Sequence, residues 1–465
     1  MVEIELKFQI SEARRTALLK ALDPKKSETI QLQAKYFDTP DRLLAQHGAA
    51  LRQRLEGISW IQTLKAAGKS HLHRFEHNHH LGELESSPEL DLSIYATIPE
   101  AQQILTQALG SDAAALKLTF ETDIQRTYRV IQFEDAEIEV CLDVGVVRAS
   151  GREQTIHEVE FELKSGSVQS LLAFSFEWVK KYQLWLDVRS KAEMGNLLAL
   201  EQTVSPARFE KEFVLSKKES AAHNLSLLIG QQMQHLLPNI AAISAGVAEQ
   251  SHIDQAQTAL EHLQLTLALF KDWNSNISDK WAMQLAAFKH QFDHLQHLQH
   301  MQSTLGAFLQ NPTTTENLAK DILYAQEKLG NLVKSTQNVH HYLELLTFSL
   351  SSHDQVQKQD LKTYAHNTLQ NQYRQLQESL NAADISHFES LDVLAQKIKE
   401  LKFSFPILTS IYDVKNLQKY SKALNDAQQA AHEYQILATS AAYIQQTELE
   451  ASDWFVLGWL TAKLE

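Results

Sequence analysis

The sequence predicts an α+β chain: a mainly antiparallel β-sheet in the N-terminal part, followed by an all-α helical bundle. Three observations carry this. Up to Asn196, stretches such as "VEIELKF", "AEIEVCLDVG" and "HEVEFELKSG" alternate charged and apolar residues with period 2, and turn residues separate them. From Arg208 onward Gly and Pro become sparse, and Leu, Ala, Gln, His and Asn recur at helical spacing. At 465 residues the chain also exceeds the size at which a single core stops growing, so two or more domains are expected. The change of texture falls near "EQTVSPARF", which gives domains 1–200 and 205–465.

The strands justify themselves in order. A strand at "MVEIELKFQI" puts Glu3, Glu5 and Lys7 on one face and Ile4, Leu6 and Phe8 on the other. "LRQRLEG" places Arg52 and Arg54 together, "WIQTLKAAGK" adds Lys65, and "HLHRFEHN" adds Arg74 with Glu76 two residues on. "DIQRTYR" contributes Arg126, and "HEVEFELKSG" repeats the opening pattern with Glu158, Glu160, Glu162 and Lys164. Two acid-rich strand faces repel when they meet without a cation between them. A hard divalent ion, bound through carboxylate oxygens, removes that objection. If the sheet closes into a barrel, the charged faces point inward and the apolar faces pack outward on helices, the reverse of the usual arrangement. A charged lumen then calls for a charged ligand to offset its desolvation.

Composition narrows the classes. The net charge of −14 argues against a general nucleic-acid binder, although a local basic pocket is compatible with it. Each half carries −7, from 23 bases against 30 acids before Ser205 and 20 against 27 after it, yet eleven of the thirteen arginines lie in the first half. The groups able to grip an anion bidentately are therefore concentrated there. With the single cysteine Cys141, neither an intrachain disulfide nor a multi-cysteine zinc cage can form, which fits a reducing cytoplasm. Cys141 reads as a core thiol on an apolar alternation. No N-terminal run of signal length and no stretch near ~18 uncharged apolar residues is present, so a cytoplasmic protein without a membrane segment is expected. His71, His73, His77, His79 and His80 read as a solvated surface, and the helical stripe His290, His294, His297 and His300 as a solvated or helix-packing face, since no nearby cysteine or paired carboxylate completes a closed zinc site on that stripe.

From Val2 to about Asn196 the residues resemble the CYTH domain of the triphosphate tunnel metalloenzymes. Glu3-Ile4-Glu5-Leu6-Lys7 is similar to that family's ExExK opening, and "KYFDTPD", "LRQR", "TLK", "RFE", "QRTYR", "EVCLDVG", "EVEFELKSG" and "SKAEMG" follow in the family's order. The resemblance implies a β-barrel tunnel that binds a triphosphate among inward Lys and Arg, with acids holding one or two Mg²⁺ or Mn²⁺ ions. It implies Glu3, Glu5, Glu160 and Glu162 as metal ligands, with Glu158 on the same face. It implies Lys7, Arg52, Arg54, Lys65, Arg74, Arg126, Lys164 and Lys191 as phosphate ligands. Asp143 would assist the metal or the attacking water, and Glu76 would orient a base or bind metal, so that Lys7, Glu76 and Asp143 form the implied catalytic set.

From about Arg208 the chain looks like a CHAD domain, a helical module whose two related helices line a basic, histidine-bearing groove for polyphosphate. Its apolar frame persists in Leu260, Leu263, Leu267, Leu269 and Phe270 and again in Leu401 and Phe403. The ligand positions do not. Aligned on Leu263 and Leu401, the histidine position holds Asp254 and Asp392. The basic positions hold Gln257, Glu261, His262 and Gln264, then Ala395, Lys399, Glu400 and Lys402, with His252 and His387 near enough to be displaced ligands. Polyphosphate binding by this half is therefore expected to be poor. The reaction the resemblance implies is hydrolysis of inorganic triphosphate to diphosphate and phosphate. Relatives of the tunnel type also act on nucleoside triphosphates or thiamine triphosphate or cyclise ATP, and a polyphosphate-binding scaffold without turnover is the alternative of another class.

Overall fold

The computed structural model describes residues 2–68, 72–110, 112–306, 311–351, 360–384, 388–412, 418–446 and 449–464. Its first elements are β1 (Val2–Gln9), α1 (Glu12–Ala21), β2 (Glu28–Asp38), α2 (Leu43–Gln46), β3 (Ala49–Glu56), β4 (Ser59–Ala67), β5 (His73–Glu83) and α3 (Pro99–Leu109). Then come β6 (Lys117–Phe133), β7 (Ala136–Ala149), β8 (Arg152–Ser165), α4 (Val168–Tyr182), β9 (Trp185–Leu186) and α5 (Lys191–Ala199). The helical part runs through α6 (Ala221–Ser244), α7 (Gln250–Leu269), α8 (Asp279–Leu305), α9 (Pro312–Leu332), α10 (Thr336–Leu350), α11 (Leu361–Ala382), α12 (Phe388–Thr409), α13 (Gln418–Gln445) and α14 (Ala451–Leu464). Two compact units result: residues 1–208 with 237–252 and 333–347, and residues 209–236 with 253–332 and 348–465.

In the first unit, eight antiparallel strands run β5-β4-β3-β2-β6-β7-β8-β1, and β1 pairs back with β5, closing a barrel. The two-residue β9 adds to β1. Register decides which face is inside. Glu5 lies opposite Glu162, Lys7 opposite Glu160, Asp143 opposite Glu158, Arg126 opposite Asp143, and Lys65 opposite Glu76, so the charged alternation of each strand continues that of its neighbour. On β1, β8 and β3–β5 the other face is apolar and meets helices, whereas on β2 and β6 it carries Gln31, Gln33, Glu121, Asp123 and Gln125 and is largely open to water. The Phe8 and Phe161 rings meet tilted at 5.1 Å, and Phe161 receives Phe174 and Trp178 of α4 at 5.3 and 5.6 Å. Leu51, Leu64 and Phe75 pack with Tyr95 and with Ala101, Ala108 and Leu109 of α3. Each such large side chain taken out of water stabilises the fold by about 1.5–3 kcal/mol. This outer burial is what permits a charged interior.

One part of the inner face is apolar. Leu32, Ala34, Tyr36, Phe120, Ile124, Val147 and Ile156 gather around Met194 of α5, and Tyr36 stacks on Phe120 at 4.4 Å. Gly195 makes this docking possible, because a Cβ there would lie 2.1 Å from a ring carbon of Phe120. The "KYFDTPD" segment has a structural acid: buried Asp38 accepts from the amides of Thr39, Leu44 and Ala45 at 2.7, 2.9 and 3.0 Å and so caps the short α2.

Cys141 requires a correction. It is buried, as expected, but shares parity with Glu139 and Asp143 and not with the apolar Ile138, Val140 and Leu142, so it lies on the charged inner face opposite Glu160. Burial and the nearby acids hold it as a thiol, its pKa well above the usual value, despite the opposing charge of Arg126.

In the second unit most of the expected apolar frame is buried: Leu260, Leu263 and Phe270 are inaccessible, Leu267, Leu401 and Phe403 nearly so, and Leu269 is half-buried. Phe403 receives the ring of His262 at 4.8 Å and that of Phe270 at 6.5 Å. On α8, His290 and His294 are exposed while His297 and His300 are half-buried, and the His300 ring meets His432 at 5.4 Å. On β5, His79 and His80 are exposed and His77 packs edge-on against Tyr95. His71, His387 and Lys415 lie outside the described residues. Among the described residues, no helix is long and apolar enough to cross a membrane.

Candidate active site

The inner face carries two charge clusters. The first centres on Lys191, the first residue of α5, a helix that begins where the Ser190 hydroxyl accepts from the Glu193 amide at 3.0 Å. That cap directs Lys191 into the barrel, 2.7 Å from Asp143 Oδ2 and 2.8 Å from Glu160 Oε1, and in contact with Glu158. Arg126 grips Asp143 with two hydrogen bonds, 2.7 and 2.6 Å, and also touches Glu160. Lys7 stands 3.8 Å from Glu158.

Burial opposes ionisation throughout this cluster, and the partners decide the outcome. Arg126 and Lys191 outweigh burial at Asp143 and hold it below the usual carboxylate range. Lys191 and Arg126 do the same at Glu160, more strongly. At Glu158, burial outweighs Lys191 and Lys7, and its pKa rises. Glu158 is fully buried, and neither of its oxygens makes a hydrogen bond of proper geometry despite the two ammonium groups nearby. Carboxylate oxygens of Asp143, Glu158 and Glu160 lie within 4.8 Å of one another. Three hard oxygen donors, one of them short of hydrogen bonds, fit a hard divalent cation, and these three residues would hold it.

The second cluster centres on Lys65, which lies 3.0 and 2.7 Å from the two Glu3 oxygens and 3.2 Å from Glu76. Arg74 pairs with Glu5 at 3.1 Å, Arg52 lies 3.7 Å from Glu76 and donates to the Tyr36 hydroxyl at 3.3 Å, and Arg54 pairs with Glu56. Lys164, the most exposed of these bases, reaches Glu162 at 2.8 Å and Glu139 at 3.2 Å. Burial, together with the neighbouring Arg52 and Arg126, pushes the Arg54 guanidinium down, the signature of a spot with more cation than its own acids neutralise. Glu3 and Glu76 share the Lys65 ammonium, and each acid bears on the ionisation of the other. Burial, with Glu5 and Glu76, raises Glu3 to about 8 against the pull of Lys65. Lys65, Glu3 and Arg52 overcome burial at Glu76 and lower it to about 2.

All of the residues selected from the sequence are thus brought to this one inner surface, Lys191 from a helix and the rest from strands. They are not brought to one point. Of the carboxylates offered for metal, Glu158 and Glu160 meet, joined by Asp143, whereas Glu3, Glu5 and Glu162 are engaged by Lys65, Arg74 and Lys164. Sequence reasoning missed Tyr36, Glu56, Glu139 and the Asp187–Arg189 pair, in which Asp187 accepts from Arg189 at 3.1 and 2.7 Å and its amide donates to the Lys7 carbonyl at 3.0 Å. Extending period 2 by one step finds Glu56 after Arg54 and Glu139 before Cys141. Tyr36 gave no charge signal.

Residues 1–196 match the CYTH domain and residues 227–445 the CHAD domain. The chain is a CYTH domain followed by a CHAD domain. Over 227 residues it is 33% identical to a protein of Haemophilus influenzae named inorganic triphosphatase, an alignment that covers 47% of this chain and 62% of that protein. The chain thus matches less than two thirds of that relative's length. A crystal structure of a CHAD domain from Ricinus communis superposes with a TM-score of 0.47 at 14% identity, covering 56% of this chain and 92% of that one. HpAC1 from Hippeastrum, described as having a dominant triphosphatase activity, superposes with a TM-score of 0.32 at 17% identity, covering 43% and 97%.

The raised pKa of Glu3 in the CYTH domain has a measurable consequence. A carboxyl group whose folded pKa is raised makes folding less favourable as pH climbs from its unfolded value to its folded one, because the unfolded chain releases the proton first. For Glu3 that window runs from the ordinary carboxylate range to about 8. The contribution of Glu76 is lost only as pH falls toward about 2 and lies outside the window. In metal-free buffer, wild-type stability is therefore expected to fall between about pH 5 and 8 by more than that of Glu3→Gln. Urea midpoints at several pH values check this, and parallel curves for the two proteins would contradict the raised Glu3 pKa.

Proposed function

We propose that the CYTH domain hydrolyses inorganic triphosphate to diphosphate and orthophosphate with Mg²⁺ or Mn²⁺. The observation that carries the reading is the Asp143–Glu158–Glu160 cluster, buried beside a row of Lys and Arg on one inner face. A site for an anion alone gains nothing from buried acids, while a site for metal alone does not need Arg52, Arg54, Lys65 and Arg126. A triphosphate with its counter-cation uses both.

Transfer of a phosphoryl group to water needs charge neutralised on the transferred group and on the departing diphosphate, and a water held in line. Lys7, Arg52, Arg54, Lys65, Arg74, Arg126, Lys164 and Lys191 bind phosphate oxygens, exchanging their present carboxylate partners for the ligand. When bound, the divalent cation supplies further neutralisation of the phosphate oxygens. Asp143 orients the attacking water, Glu76 holds Lys65 and Arg52 in place, and Glu3 and Glu5 are the second set of acids open to a metal. Water adds to a terminal phosphorus, the bond to the bridging oxygen breaks, and the water proton leaves with a product oxygen. No covalent intermediate on the protein is required, consistent with Cys141 being held as a thiol. We assign the chemistry to residues 1–200 and give the helical domain, 205–465, no catalytic group. The single cysteine fits a cytoplasmic location.

Phosphate release from tripolyphosphate, ATP, thiamine triphosphate and long-chain polyphosphate, compared at equal concentration with Mg²⁺, tests the substrate. Tripolyphosphate is expected to be turned over at least tenfold faster than the others, and a faster nucleotide would move the assignment to a nucleoside triphosphatase. The helical domain is expected to add little. Lys399 pairs with Glu261 at 2.5 Å, Lys397 with Glu400 at 2.8 Å and Lys289 with Asp293 at 2.7 Å, which neutralises the bases a polyanion would seek. Replacing Lys397, Lys399 and Lys402 together by Ala should leave both tripolyphosphate turnover and low-salt polyphosphate binding within about twofold of wild type. A large loss of polyphosphate binding would identify a basic face there.

A further inference from the structure

The first compact unit contains more than the barrel, since residues 237–252 and 333–347 belong to it. Its α10 segment meets elements of the barrel at three places. His340 Nε2 lies 3.0 Å from the Phe176 carbonyl of α4, and its ring stands edge-on to Phe176 at 5.1 Å. A carbonyl only accepts, so Nε2 carries the hydrogen. Lys334, just before α10, sets its ammonium over the Trp185 ring of β9 at 5.8 Å. Leu346, with Leu237 of α6, lines one crevice together with Glu5, Lys7, Arg74 and Leu186. Leu237 and Leu346 are 2% and 3% exposed.

β9 in turn holds β1. Phe8 pairs with Leu186, Gln9 with Trp185, and the Asp187 amide donates to the Lys7 carbonyl. Contact therefore runs from α10 through β9 to the strand that carries Glu3, Glu5 and Lys7. The buried Leu237 and Leu346 side chains put apolar surface beside Glu5 and Lys7, and low-dielectric surroundings strengthen charge contacts.

We infer that α10, which comes from the second half of the sequence, is a structural part of the tunnel wall, and that His340 and Leu346 are positioning residues for Glu5 and Lys7. Its binding arm rests on the triphosphatase reading; its exchange arm does not. The test uses the full chain with Leu346→Ala, His340→Ala and His340→Gln, and with Leu318→Ala, an equally buried leucine of the second unit, as control. Hydrogen exchange is followed in peptides spanning residues 4–9 and 185–188, and tripolyphosphate binding is measured by calorimetry in EDTA.

Leu346→Ala and His340→Ala should each speed exchange in both peptides and weaken tripolyphosphate binding, each by about tenfold. His340→Gln, whose amide can still donate to the Phe176 carbonyl, should restore both to within about threefold. Leu318→Ala should leave those peptides unchanged. Unaltered exchange in Leu346→Ala and His340→Ala overturns the inference. So does an equal rise in Leu318→Ala, which would mean that any cavity loosens the whole molecule. If Leu346→Ala does not fold, the His340 pair decides alone. A wild-type protein with no affinity for tripolyphosphate would sink the triphosphatase reading, and the exchange measurement would still judge the wall.

Discussion

Glu160→Gln is expected to lower tripolyphosphate turnover by roughly 10²–10³-fold or more while leaving the barrel folded. Glu160 sits between Lys191 and Arg126, which hold it well below the usual carboxylate range against its burial. A carboxamide keeps the shape and one acceptor, but it removes the charge that a hard cation requires. It also leaves Lys191 and Arg126 sharing Asp143 and Glu158, which weakens the placement of both. Steady-state kinetics across a Mg²⁺ titration, with circular dichroism as the control for folding, measures this. Activity within tenfold of wild type would remove Glu160 from the metal site.

The second large effect is on stability. Lys191→Met takes the central cation from Asp143, Glu158 and Glu160, two of which are inaccessible to water, and leaves Arg126 and Lys7 to balance three acids. Removing one partner from a buried ion-pair cluster typically costs about 3–5 kcal/mol, because the remaining charges stay desolvated without compensation. The variant should therefore unfold at a clearly lower urea concentration in EDTA. Millimolar Mg²⁺ should recover part of the loss, since a divalent ion supplies the missing charge at the same oxygens. Wild-type stability in EDTA would show that the cluster is already balanced without Lys191. Destabilisation that Mg²⁺ leaves untouched would show that these oxygens do not hold the ion.

Much of this was readable before any coordinates, for a physical reason. Period-2 alternation assigns each strand residue to a face without knowledge of the fold, so Glu3, Glu5 and Lys7, or Arg52 and Arg54, could be grouped from spacing alone. Barrel closure then makes one surface of all those faces. The pairing inside the lumen was not readable, because it depends on register between strands distant in sequence. Only the β7–β8 and β6–β7 registers bring Asp143 to Glu158 and Arg126 while Glu3 falls to Lys65. Cys141 was misplaced by reading its neighbours Val140 and Leu142 in place of its parity. Tyr36 escaped because an aromatic on an inner face looks like core until Arg52 is seen to donate to it. Asp38 looked like part of a functional motif, and its carboxylate turns out to be used by three backbone amides.

The central claim is that buried carboxylates and inward bases act together on a triphosphate and a divalent cation. Quantifying orthophosphate and diphosphate released from tripolyphosphate by the full chain, with Mg²⁺ and with EDTA, tests it most directly. The expected result is equimolar orthophosphate and diphosphate with Mg²⁺, reduced to background by EDTA and by Glu160→Gln. Release that is indifferent to EDTA, or tripolyphosphate bound tightly and recovered intact in the presence of Mg²⁺, would contradict the account.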